Sequence, residues 1–298
     1  MTLVPDSFRA LAANGPSWAA WLDDLPGLLR DLVEEWSLTL DGPSTHGNCA
    51  VVLPVRTAEG EPAVLKVGWP HWEAEHEALA LQVWSGRGAV RLLRADPKRF
   101  ALLLERLHPE EDLSELWDVQ ACEIVGGFYR RLHVAAPPQL RTLSAQAERW
   151  ASELGEKSRR LPVPPRMVDQ ARAIARDFAR DEDTDGRLIH TDLHYENVLR
   201  GDREEWLVID PKPLSGDPHY ELAPMLWNRS DEYAGRIRDG VRDRFFALVD
   251  AAELDEDRAR AWVVLRLMVN IKDEVEDNQA PDKDWITEMI SLTKAVQD

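Results

Sequence analysis

Residues 188–217 read LIHTDLHYENVLRGDREEWLVIDPKPLSGD. Two apolar pieces, LI and VL, flank a knot of polar groups: His190, Asp192, His194, Glu196 and Asn197. A second apolar run, WLVI, then delivers Asp210, followed at once by a proline. Polar side chains held between strand-like flanks must be hydrogen-bonded or must perform chemistry, because burying them otherwise is costly. Three readings compete: a metal site, a phosphate-transfer site, and a hydrogen-bonded loop with no reaction to serve.

His190 and His194 are four residues apart, the spacing of a helical zinc pair. The glutamate of His-Glu-x-x-His is absent, however, and strand-like flanks argue against a helix. A harder cation suits the remaining groups. Mg²⁺ takes oxygen ligands, usually one or two carboxylates with carbonyl oxygen, water and substrate phosphates. Asn197 offers an amide oxygen and Asp210 a carboxylate, on loops that a hairpin over VLRGDREEWLVI brings together. Asp192, five residues before Asn197, is then left to face a substrate hydroxyl. The order His-x-Asp-x-x-x-x-Asn, a strand pair, then Asp matches the catalytic loop of protein kinases and the aspartate that follows it.

The rest of the chain bounds this reading. With 298 residues and 44% apolar content there is room for one large or two ordinary globular domains. Nothing approaches the roughly 18 consecutive apolar residues of a membrane span. MTLVPDSFRALAANG lacks a basic stretch before an apolar run, so a signal peptide is not expected. Two distant cysteines, Cys49 and Cys122, fit a reducing cytoplasm better than a disulfide framework. The formal net charge of -18 repels nucleic acid and anionic lipid and attracts a cationic small molecule. An acidic surface also serves solubility alone.

Periodicity divides the chain into two characters. Residues 17–36 have helical apolar spacing with Ser17 as N-cap. WSLTL, CAVVLPV, PAVLKVG, AVRLL and FALLLERL read as strands, with HWEAEHEALALQVW as a helix inserted among them. After HPEED, residues 112–135, 142–160 and 167–181 are helix-patterned, as is most of the chain from 221 onward. The expected fold is α+β and bilobal: a small antiparallel-sheet lobe with one main helix over 1–107, and a larger, mostly helical lobe over 108–298. The hinge falls near 107–112. Residues 188–217 supply short strands within the helical half.

HTDLHYENVL, with IDP following thirteen positions beyond Asn197, resembles the aminoglycoside phosphotransferase family of kinase-like enzymes. That family's usual motif is HGDLHxxNVL followed by ID, so Thr191 stands where glycine is usual. LKVG, HEALAL, ALLLERL, RRLH and DPHYELA look like other blocks of the family, most similar to its streptomycin 6-phosphotransferase and hydroxyurea phosphotransferase branch. The resemblance runs from about residue 36 to 226. It implies a protein-kinase-like fold, ATP with Mg²⁺ as cofactors, and a small hydroxyl-bearing acceptor.

A kinase-like site needs a strand lysine for the α/β-phosphates and a helix glutamate to hold it. Lys66 is the only lysine in the first 97 residues and sits in an otherwise apolar strand. Glu77 is the expected partner, with Glu73, one turn earlier on the same face, in reserve. GPSTHG, residues 42–47, is the expected phosphate-covering loop through Gly42, Ser44 and Gly47. Ser44 departs from the protein-kinase glycine pattern, and Asn48–Cys49 exclude a Walker A loop. The resemblance places adenine against the hinge backbone, near Glu105 and Leu107. His190 and His194 read as braces, Glu196 as solvent-facing, and Asp217 and Glu221 as anchors between the next helix and the catalytic loop. Asp273, Glu276 and Asp277 lie where the family's acceptor pocket lies; a solvated acidic helix end is the alternative.

The expected activity is ATP-dependent O-phosphorylation of an aminoglycoside such as streptomycin, with Lys66 and the loop on the nucleotide, Asn197 and Asp210 on Mg²⁺, and Asp192 as base. Alternatives are a kinase of hydroxyurea or of a small alcohol of the choline, homoserine or methylthioribose type, and a non-catalytic nucleotide-binding pseudokinase. A metal-dependent hydrolase is disfavoured, since nothing supplies a closed ligand set.

Overall fold

In the computed structural model, which describes residues 3–158, 160–233, 235–278 and 280–297, the backbone partitions into two units. One comprises Met1–Glu110 with Leu199–Lys212; the other comprises Glu111–Val198 with Pro213–Asp298.

The first unit opens with helices α1 (Asp6–Arg9) and α2 (Pro16–Glu35). Strands β1 (Thr39–Leu40), β2 (Thr45–His46), β3 (Ala50–Arg56) and β4 (Pro62–Gly68) follow, then helix α3 (Glu77–Trp84), β5 (Leu92–Asp96) and β6 (Ala101–Glu105). The sheet order is β1-β3-β4-β6-β5, with β2 also on β3, and every pairing is antiparallel. Alternation along the strands decides what faces where. Ala63, Leu65 and Val67 of β4 are buried in one cluster with Val51, Leu53 and Val55 of β3 and Leu22, Leu25, Leu29 and Leu32 of α2. Each such leucine contributes about 1.5–3 kcal/mol by leaving water. Lys66, between Leu65 and Val67, therefore points to the opposite face, in register with Val52 and Leu102. Helix α2 starts at Pro16 and not at Ser17: a proline at the first position loses no hydrogen bond, so no side-chain cap is required.

Leu199–Lys212 differs from the sequence expectation, which keeps 188–217 within the helical half. Val208 donates to the carbonyl of Gly88 (3.0 Å) and accepts from the amide of Val90 (2.9 Å). Arg203 donates to the carbonyl of Ala89 (2.6 Å) and to the Glu105 carboxylate (2.8 Å). Backbone ladder bonds and a charge-assisted fork thus tie this excursion to the sheet-bearing unit.

The second unit is built on helices α4 (Asp118–Leu132), α5 (Leu143–Lys157), α6 (Pro165–Phe178), α7 (Ala223–Trp227), α8 (Ile237–Ala252), α9 (Glu256–Asp277) and α10 (Lys283–Gln297). A two-stranded antiparallel pairing, Arg187–Ile189 with Leu214–Gly216, brings the two ends of segment 188–217 together. A Cβ at Gly216 would lie 2.3 Å from Ile189 Cδ1 and 3.2 Å from Leu143 Cβ, so a larger residue there would force those side chains to shift. Phe178 stacks on Trp262 at 3.9 Å between ring centroids, joining α6 to α9. Among the described residues, no helix is long and apolar enough to cross a membrane.

Leu29 is fully buried between α2 and the sheet. Leu29→Ala is expected to lower unfolding free energy by about 2–5 kcal/mol in urea titrations. Leu93→Ala, at an exposed position, should change it by less than about 0.5 kcal/mol.

Candidate active site

Lys66 Nζ donates to Glu77 Oε1 at 2.6 Å and to Oδ1 of Asp210. Residues 72–76 form turns, so α3 begins at Glu77 itself. Glu73 precedes the helix and lies 3.9 Å from the His71 ring, so the expectation that the two glutamates share a helical face does not hold. Burial alone would push the Lys66 pKa down, but the Asp210 and Glu77 carboxylates outweigh it and hold the ammonium above the usual lysine range. The lysine is therefore charged at any physiological pH. Asp210 has φ 56°, in the left-handed region, immediately before Pro211. A residue before proline is driven toward extended backbone, and only glycine enters the left-handed region freely, although aspartate and asparagine tolerate it better than other residues. Such stored strain is characteristic of functional sites. Lys212 Nζ lies 3.5 Å from the other carboxylate oxygen, Oδ2.

The expected phosphate-covering loop is a strand hairpin. Thr45 pairs with Val52 and His46 with Val51, and the Gly47 amide donates to the Ala50 carbonyl at 3.0 Å. The tip is consequently 47–49, with Gly47 on it, while Gly42 and Ser44 lie on the arm leading to it. Gly42 has φ 151° and a built Cβ would stand 3.5 Å from the Pro54 ring. His46 donates from Nδ1 to the Gly47 carbonyl (2.9 Å) and meets the Ser7 hydroxyl at Nε2 (2.7 Å), so the N-terminal segment braces the hairpin. Further along, the Glu105 carboxylate accepts from the Arg91 amide (2.7 Å) and its own amide donates to the Arg91 carbonyl (3.0 Å). Between Glu105 and the buried Leu107, Arg106 donates to the carbonyl of Ala63 (3.1 Å) and to Asp41 (2.8 Å). Arg106 thus links the residues of the expected hinge to the root of the hairpin, a connection with no local sequence signal.

In the second unit the loop 190–197 is shaped from outside. Thr191 has φ 66°, a left-handed conformation that explains why the resembling motif has glycine there. For a β-branched residue this is a genuine outlier. The buried Glu221 carboxylate accepts the amides of His190 and Thr191 (2.9 Å for the latter), and Arg266 donates to the Thr191 carbonyl. His133 Nε2 lies 3.3 Å from the other Glu221 oxygen. Burial pushes the Glu221 pKa up, but His133 and the loop amides prevail and hold it below the usual glutamate range. The Asp192 amide donates to His190 Nδ1 (3.2 Å), making His190 a brace, and Asn197 Nδ2 donates to the Asp192 carbonyl (2.8 Å). Leu193 and Tyr195 are buried on the other side of the loop. Tyr195 lies beneath the guanidinium of Arg229 (4.6 Å to the ring centre), and the buried Arg244 binds Asp118 (2.8 Å) and Glu232 (3.0 Å) nearby. Glu196 is exposed. Asp217 accepts from the amide of His219 (3.0 Å), Trp262 Nε1 (2.6 Å) and Arg258 (2.5 Å), fixing the start of α9.

The acidic end of α9 is not a bare carboxylate patch. Lys272 binds Asp273 (2.7 Å) and Glu153 of α5 (2.6 Å), and Lys157 pairs with Glu276. Asp277 is exposed. Sequence reading named three of these carboxylates but missed Glu153 and both lysines, because the Lys272–Glu153 and Lys157–Glu276 pairs each join residues more than a hundred positions apart.

The first unit thus holds a strand lysine clamped by two carboxylates, and the second a His-x-Asp loop closed by an asparagine. The pattern of the aminoglycoside/hydroxyurea antibiotic resistance kinases matches residues 35–270. A streptomycin 6-kinase of Streptomyces griseus is 38% identical over 284 residues, covering 92% of this chain and 91% of that protein. A hydroxyurea phosphotransferase of Kitasatospora aureofaciens is 39% identical over 294 residues, covering 96% and 84%. The crystal structure of aminoglycoside phosphotransferase APH(4)-Ia superposes with a TM-score of 0.59 at 14% identity, covering 92% and 98%, which establishes the fold. The chain belongs to the aminoglycoside/hydroxyurea antibiotic resistance kinase family. It is a phosphotransferase, and ATP use follows from its membership of a kinase family.

Glu221→Gln should cost about 2–4 kcal/mol, because two buried amides and His133 lose their anionic partner. A carboxyl held below its unfolded value stabilises above that value and loses its contribution as pH falls. Wild-type stability should therefore decline between about pH 5 and 3, and the variant's thermal midpoint should be flatter there.

Proposed function

We propose that the protein transfers the γ-phosphoryl group of ATP to a hydroxyl of a small cationic acceptor of the aminoglycoside type, as the streptomycin 6-kinases do by name. The observation that carries the reading is the Lys66 ammonium held between Glu77 and Asp210, an arrangement useful for gripping nucleotide phosphates. In this reading the β2–β3 hairpin, through Gly42, Ser44 and Gly47, covers those phosphates, and backbone from Glu105 to Leu107 meets the adenine. Asp192 orients the acceptor hydroxyl and takes its proton. Asn197 and Asp210 are the groups assigned to Mg²⁺, which when bound supplies positive charge to the phosphate oxygens. The donor chemistry fits: both residues offer oxygen, and the Asn197 amide nitrogen is spent on the Asp192 carbonyl, leaving Oδ1 as its ligand atom.

Asp273, Glu276 and Asp277 are the tentative acceptor groups. A second reading, in which the acceptor is uncharged like hydroxyurea, is favoured by Lys272 and Lys157, which already neutralise part of that set. A pseudokinase is opposed by the joint presence of Lys66, Asp192, Asn197 and Asp210.

ADP release measured over streptomycin, other aminoglycosides, hydroxyurea and small alcohols should be stimulated by streptomycin. Stimulation by hydroxyurea alone selects the second reading, and turnover indifferent to every acceptor overturns both. Asp192→Ala should lower kcat by about 10²- to 10⁴-fold while ATP binding persists.

A further inference from the structure

We infer that Arg266 is a positioning residue of the reaction, acting through the backbone of Thr191 to aim Asp192. The inference rests on the phosphotransferase reading, which gives loop 190–197 its task, and adds to it a residue from outside the loop.

Thr191 has φ 66°, a conformation that L residues other than glycine occupy at a penalty of about 5- to 30-fold in population. A β-branched side chain is the least suited to it. The two peptide planes beside Thr191 must therefore be held by other residues, and both are. The plane before it ends in the Thr191 amide, which donates to Glu221 at 2.9 Å. The plane after it begins with the Thr191 carbonyl, which accepts from Arg266. That second plane ends in the Asp192 amide, bonded to His190 Nδ1 at 3.2 Å. Fixing its orientation fixes the direction in which Asp192 leaves the backbone. An anion holds one plane and a cation the other, and the cation holds the one that leads to Asp192. All of these groups belong to the second unit.

Arg266 is an unusual residue to bury. It stands on α9, is 8% exposed, and among the described residues no carboxylate pairs with it. Its guanidinium donates to the carbonyls of Thr191 and Tyr220 (3.3 Å for the latter). It lies against the rings of Tyr220 (4.2 Å to the ring centre) and Trp227 (5.0 Å). A buried charge without a counter-ion is expensive, and an apolar side chain would fill the space at lower cost. The aromatic faces keep the planar fork in one orientation, so the Thr191 carbonyl meets a preset donor. What the arginine supplies, and packing alone would not, is a hold on the carbonyl of one strained residue.

The test places Arg266→Met in three backgrounds: unaltered, Thr191→Gly and Thr191→Val. The readouts are ADP release with streptomycin (hydroxyurea should streptomycin not serve), Kd of ATP and thermal midpoint. In the unaltered background Arg266→Met should lower kcat by about tenfold and leave the Kd of ATP within about twofold, because the turn relaxes out of the left-handed region. With Thr191→Gly the same substitution should lower kcat by no more than about threefold, since glycine occupies that region unaided. Thr191→Val keeps the branch and removes the hydroxyl, so the full loss should return. The midpoint should respond in the opposite sense. Arg266→Met should lower it further beside Thr191→Gly, where no relief of strain offsets the lost bond. Arg266→Lys, which keeps the charge without the fork, carries the same comparison should Arg266→Met not fold. Equal losses of kcat, or equal falls in midpoint, with and without Thr191→Gly mark Arg266 as packing and overturn the inference. Acceptor-stimulated turnover of the wild type then leaves the phosphotransferase reading standing. A wild type stimulated by neither acceptor overturns both.

Discussion

The first unit is organised around keeping one ammonium, Lys66, out of bulk water. Removing a charge from water costs several kcal/mol unless carboxylates replace the solvent at once. That demand explains why α3 begins on Glu77 and why the chain must return, 144 residues after Lys66, to deliver Asp210. It also fits the division of the sheet, one face packed against leucines of α2 and the other carrying Lys66 beside Val52 and Leu102. Replacing a buried ionic trio by apolar side chains of similar volume often yields a firmer core; under the proposed function the charge is retained because it grips an anion.

The second unit solves a different problem with the same means. Its loop 190–197 is not shaped by its own sequence alone, since Thr191 sits where a β-branched residue is least at ease. Glu221 and Arg266 grip the amides and the carbonyl of that turn, and the buried arginines around Tyr195 fix the turn that follows. Buried ionic groups of this kind contribute little net stability and much definition of geometry. The loop is consequently fixed by bonds to residues outside it as well as within it.

What could be read from the sequence was local, and what could not was relational. Asp192, Asn197 and Asp210 declare themselves by spacing, and Lys66 by its rarity in an apolar strand. The helix was expected to begin at 71, but residues 72–76 are turns, so the argument from a shared face could not apply even though Glu77 does contact Lys66. Gly42 and Ser44 looked like the hairpin tip because glycine and serine favour turns; pairing of Thr45 and His46 with β3 moves the tip to 47–49. The attachment of Leu199–Lys212 to the sheet depends on Val208 and Arg203 finding partners near residue 89, which no periodicity encodes.

The return of Leu199–Lys212 to the first unit has a consequence for how the protein is made. Synthesis runs from the N-terminus, so the sheet, α2 and α3 all emerge long before Asp210 does. Until then Lys66 has only Glu77, and the edge at 88–90 has no partner strand. The first unit is therefore a late finisher despite coming first, with a closing contact of high sequence separation and correspondingly slow formation. A ribosome that stalls before residue 212 would expose an incomplete sheet, whose open edge is the feature most prone to pair with another nascent chain.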